Sequence, residues 1–116
     1  MRVHSAILCI DDEALELSIR KMVLESAGYV VFTAATAAKG LEVFKAQHID
    51  LVITDHLQGQ TDNTFAAELR HLIPSLPIMI LSGEATLPHA MEPPDYYLHK
   101  LEGPTEMLAR VRSAIG

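Results

Sequence analysis

The sequence predicts an α/β domain, a doubly wound parallel sheet of five strands with helices on both faces. Three observations lead there. Short continuous apolar runs recur, AILCI at 6–10, LVIT at 51–54 and IMIL at 78–81. Such runs suit strands covered on both faces. Segments with apolar residues at helical spacing stand between them. The alternation of strand and helix implies parallel strands joined by crossover helices.

Taken in order, Ala6–Ile10 reads as the first strand. The spacing predicts a helix over 13–27, with Leu17, Met22, Val23 and Leu24 inward and Gly28 at the C′ position. Residues 29–34 are β-branched and aromatic, a second strand. Thr36 is placed to cap a helix over 37–47 with Leu41 and Phe44 facing inward. Residues 51–54 form the third strand. Residues 62–72 read as a helix with Phe65, Leu69 and Leu72 on one stripe, ended by Pro74 and Pro77. Residues 78–81 are the fourth strand, 96–99 a fifth, and 104–115 a last helix with Pro104 in its first turn. Between Ser82 and Lys100, Pro88, Pro93 and Pro94 leave room for a turn or two of helix at most. The fourth helix is therefore expected to be short or missing.

The 116 residues suit one domain, 1–116, with a single core. A net charge of −6 argues against a binder of nucleic-acid backbone, which needs a basic face. No apolar run approaches the roughly 18 residues of a membrane span. No signal-peptide pattern opens the chain. Cys9 is the only cysteine, so no internal disulfide forms, which fits a reducing compartment. The expectation is a cytoplasmic protein that binds neither nucleic acid nor membrane. The six histidines show no close ligand spacing and read as surface or packing residues. Mid-strand Cys9 reads as a small buried hydrophobe.

In open parallel sheets, ligands bind outside the carboxyl ends of the strands. Just past strand one come Asp11 and Asp12. Asp55 follows strand three, Ser82 strand four and Lys100 strand five. Taken singly, each has a plain explanation. Asp12 could cap the next helix, Glu13 complement its dipole, and Lys100 be a surface charge. Together, three carboxylates need a counter-charge. All-oxygen donors suit a hard cation such as Mg²⁺, which keeps open positions for a phosphoryl group. Lys100 adds a second positive charge and Ser82 a hydrogen-bond donor.

The motifs ILCIDDE, LVITD, ILSGE and YYLHK, in this order, resemble the receiver domain of two-component response regulators. The resemblance covers almost the whole chain. It implies the (βα)5 flavodoxin-like, CheY-like sandwich. It also implies a phosphoacceptor aspartate that takes a phosphoryl group from a sensor histidine kinase or a histidine phosphotransfer protein. By position, it makes Asp55 the phosphorylation site. Asp12 becomes the direct Mg²⁺ ligand, with Asp11 acting mainly through water. Asp55 and the Leu57 backbone carbonyl complete the coordination. Ser82 takes the place of the switch hydroxyl, Lys100 that of the family lysine, and Tyr97 that of the switch aromatic. The domain would be a signalling phosphoacceptor rather than an enzyme acting on a separate substrate.

The chain departs from the family at three places. In DHLQGQTDN, Gly59 stands where proline is usual and Asn63 where glycine is usual, while Asp62 matches. Leu101 replaces the proline after the lysine. The fourth crossover is short, so the usual output face is altered and self-association is expected to be a weak homodimer at most. Leu57 stands where the family gates water to the phosphoaspartate. An apolar residue there implies slow self-dephosphorylation. The family's effector domain does not fit in 116 residues, so output is expected through a partner, a phosphorelay step or a domain outside this sequence.

The main rival is a degenerate receiver that binds a partner without phosphorylation. A small-molecule phosphatase would need two acids separated by one residue after strand one, and a flavin binder would need a Gly/Ser/Thr loop there. DDE is neither.

Overall fold

The computed structural model describes residues 5–55, 71–82, 96–99 and 103–115, with backbone placement alone for Asp55, Ser82 and 96–99. The elements are β1 (Ala6–Ile10), α1 (Ala14–Ser26), β2 (Val30–Ala34), α2 (Ala37–Ala46), β3 (Leu51–Asp55), β4 (Ile78–Ser82), β5 (Tyr96–His99) and α3 (Pro104–Ile115). The sheet is parallel throughout, in the order β2-β1-β3-β4-β5. The chain therefore winds one way from β1 to β2, then returns to the other side for β3. That reversal sets a topological switch point between β1 and β3, where such folds bind ligands.

The core explains why β1 is apolar without alternation. Ile7 and Cys9 belong to a cluster with Leu51, Ile53, Met79 and Leu81, covered by Leu24 of α1 and by Met107 and Val111 of α3. Leu8 and Ile10 belong to a second cluster with Val52, Ile78 and Ile80, covered by Phe44 of α2. A central strand with helices over both faces has no solvent side to mark with polar residues.

Local chemistry sets the helix ends. The N–H of Gly28 donates to Glu25 O and that of Tyr29 to Leu24 O, the two bonds of a Schellman motif. Gly28 takes φ +99°, where a side chain would strain the backbone. At α2, Thr36 Oγ1 accepts from the Lys39 N–H at 3.1 Å, the expected cap. At α1 the N-cap position falls on Glu13, whose side chain makes no cap bond. Asp12 is thus not the cap.

Met22 departs from expectation. It is 63% exposed. At about 100° per residue it lies on the far side of the helix from Leu24. The inward stripe runs through Leu17, Arg20 and Leu24 instead, with Arg20 and Leu24 buried. Of the helix expected over 62–72, only residues 71–72 are described, and they are helical. The rest of it, the fourth crossover and the Lys100–Leu101 bond lie outside the described residues.

Candidate functional site

Strand register gathers the carboxyl ends. Ile10 pairs with Thr54, so the next residues, Asp11 and Asp55, continue side by side in the register. Asp55 closes β3 opposite Leu81 of β4. Ser82 closes β4 opposite His99, and Tyr97 lies opposite Ile80. Asp11, Asp12, Asp55 and Ser82 therefore share one edge of the sheet, with the two β1 acids and Asp55 at the switch point. Tyr97 lies within β5. Leu57 and Lys100 are outside the described residues.

The two acids after β1 sit in different environments. Asp11 is completely buried and Asp12 is exposed. The Asp11 N–H donates to Ala34 O at 3.1 Å, continuing the β1–β2 ladder. Asp11 Oδ1 accepts the Glu13 N–H at 2.9 Å. This two-residue loop-back turns the chain from strand into helix. Oδ2 accepts from Arg20 Nη1 at 3.2 Å. Both charged side chains of that pair are shielded from water, at 9% and 0% exposure.

Arg20 was not among the residues singled out from the sequence. Its signal was present: it stands three residues after Leu17 and four before Leu24, on the buried stripe of α1. A buried cation costs several kcal/mol unless paired. Asp11, one residue past β1, is the anion that pairs it. Glu16 stands one turn before Arg20 and is partly buried.

Cys9 lies two residues upstream and is fully buried. Burial pushes its thiol up to about 12, with Arg20 lowering it and Asp11 raising it by smaller amounts. A thiol held neutral in this way is not a nucleophile.

The donors described at this edge are carboxylate oxygens. That chemistry fits a hard divalent cation such as Mg²⁺. Asp12 offers an exposed carboxylate, whereas both Asp11 oxygens are already engaged. Among the described residues no three metal-binding side chains converge.

The family model of the response regulator receiver domain matches residues 7–112, and the chain belongs to that family. It is 34% identical over 86 residues to the transcriptional regulatory protein GlrR of Escherichia coli, covering 73% of this chain and 19% of that protein. It is 30% identical over 115 residues to the transcriptional regulatory protein YvrH of Bacillus subtilis, covering 95% of this chain and 48% of that one. The chain thus spans about a fifth to about half of these curated relatives. A solved receiver protein from Sinorhizobium medicae superposes with TM-score 0.84 at 31% identity, covering 96% of this chain and 94% of that one. Receiver domains interact with histidine kinases and generally use Mg²⁺ for phosphorylation. Among the described residues no helix is long and apolar enough to cross a membrane.

Proposed function

We propose that this chain is a single receiver domain, residues 1–116, that accepts a phosphoryl group on Asp55 and signals by changing a partner-binding surface. The observation that carries the reading is the register at the switch point, which continues β1 into Asp11 and Asp12 beside the end of β3 at Asp55. The donor would be a phosphohistidine on a sensor kinase or phosphotransfer protein. An Asp55 carboxylate oxygen attacks phosphorus in line, the P–N bond breaks, and the imidazole leaves with its electron pair and takes a proton. Asp12, Asp55 and the Leu57 carbonyl would hold Mg²⁺, whose charge would offset that of the phosphoryl oxygens. Lys100 supplies a second cation to those oxygens. The Ser82 hydroxyl then donates to the phosphoryl group, and Tyr97 moves into the space Ser82 leaves. The chain acts as a phosphoacceptor and not on a separate substrate, and its output passes to a protein partner.

One observation favours a second reading. The buried Arg20–Asp11 pair already neutralises one acid, as a phosphorylation-independent binding module would tolerate. Amide NMR separates the two. Adding Mg²⁺ with beryllofluoride, a phosphoryl mimic, is expected to shift the Ser82 and Tyr97 resonances in the parent and not in Asp55→Asn. Equal shifts in both proteins, or none in either, would favour the binding module. Because apolar Leu57 cannot orient a water, the phosphorylated form is expected to lose its group slowly. Complete loss within seconds in Mg²⁺ buffer contradicts that expectation.

A further inference from the structure

We infer that Arg20 is a resident cation of the acidic site, one that silences Asp11 and sets how tightly the site takes a divalent metal. The inference rests on the receiver reading and deepens it. Three observations carry it. Arg20 Nη1 lies 3.2 Å from Asp11 Oδ2, and the other Asp11 oxygen is held by the Glu13 N–H. Asp11 is also completely buried, so its carboxylate meets the guanidinium and a backbone donor rather than solvent. Arg20 occupies the middle of an otherwise apolar stripe on α1, between Leu17 and Leu24. An apolar residue there, opposite a neutral partner, would hold the helix at least as well, because buried ion pairs seldom add stability over good packing. The pair is therefore poor value as a purely structural device. Asp11 also continues β1 beside Asp55 in the register, so the guanidinium charge sits at the switch point itself.

The electrostatic consequence has a definite sign. Asp11 with Arg20 is a neutral unit. A divalent cation arriving at Asp12 and Asp55 meets two carboxylates rather than three, with the guanidinium charge nearby. Removing the Arg20 charge while keeping a donor to Asp11 restores the third carboxylate and removes a repulsion. A purely structural Arg20 predicts the opposite, because loosening Asp11 would lower metal affinity or leave it unchanged.

The test is a MgCl₂ titration of the full chain followed by amide shifts, on the parent, Arg20→Gln and the double variant Asp11→Asn/Arg20→Gln. Arg20→Gln is expected to bind Mg²⁺ at least roughly tenfold more tightly than the parent. The double variant, again neutral at this position, is expected to lie within about threefold of the parent. Affinity unchanged or weakened in Arg20→Gln overturns the inference. Where Arg20→Gln does not fold without metal, the double variant decides: parent-like affinity supports the inference, and a tenfold loss shows that Asp11 is a working ligand that Arg20 does not silence. If none of the three binds Mg²⁺, the receiver reading itself falls. Equal binding by all three leaves that reading intact and removes only this inference.

Discussion

Arg20 and Asp11 tie α1 to the end of β1 through one buried ion pair, guanidinium Nη1 to carboxylate Oδ2 at 3.2 Å. Truncating one partner strands the other charge away from water. Arg20→Ala is expected to destabilise the fold by roughly 3–5 kcal/mol. The double variant Asp11→Asn/Arg20→Met, which removes both charges, is expected to be more stable than Arg20→Ala. Urea unfolding followed by circular dichroism checks both. A double variant less stable than the single would contradict the assignment of the loss to an unpaired charge.

Asp50 anchors the other end of the same strand pair. Its Oδ2 accepts the Ala6 N–H at 2.8 Å, and its own N–H donates to Ala6 O at 2.8 Å. This exchange starts β1 in register with β3, and that register brings Asp11 beside Asp55. Asp50→Ala should cost about 1–3 kcal/mol by leaving the Ala6 donor unsatisfied. His48 Nε2 also meets Asp50 Oδ1 at 2.8 Å, but the His48 side chain is 81% exposed. His48→Ala should therefore change stability little. Thermal melts of the two variants give the comparison.

Cys9 should be inert while the protein is folded. It is fully buried, and its thiol is pushed up to about 12 by desolvation. The expected result is no alkylation by iodoacetamide at pH 8 in buffer and full alkylation in urea. The linkage has a definite sign. The folded state keeps the proton that the unfolded chain releases near its ordinary value of 9.0. Stability from this group is intact below that value and falls as pH rises toward 12. A Cys9→Ala variant should lose that alkaline dependence, measured as urea midpoint against pH. Rapid labelling of the folded parent would contradict the burial.

The parts of the fold legible in the sequence were those set by local chemistry. Tyr96–His99 and Pro104–Ile115 are bounded as the sequence predicts, because prolines and glycine punctuate them. Thr36 caps α2 because its hydroxyl needs only a neighbouring N–H. The acids at the strand ends were legible because a parallel sheet puts every strand's carboxyl end on one edge. Met22 was misread and Arg20 passed over for one reason. Hydropathy ranks methionine inward and arginine outward, while the phase of α1 is set by what it covers. The spacing of Arg20 from Leu17 and Leu24 places it on the inward stripe, but the partner that makes its burial tolerable, Asp11, is visible only in the fold. The same holds for the cap of α1, where the Asp11 carboxylate reaches over Asp12 to the Glu13 N–H.

Phosphorylation of Asp55 would add a defined mass to the protein. Intact mass after incubation with acetyl phosphate and Mg²⁺, beside Asp55→Asn, tests it most directly. The parent is expected to gain one phosphoryl group and the variant none. A gain in Asp55→Asn would contradict the assignment of Asp55. No gain in the parent, even with a histidine kinase as donor, would contradict phosphorylation altogether.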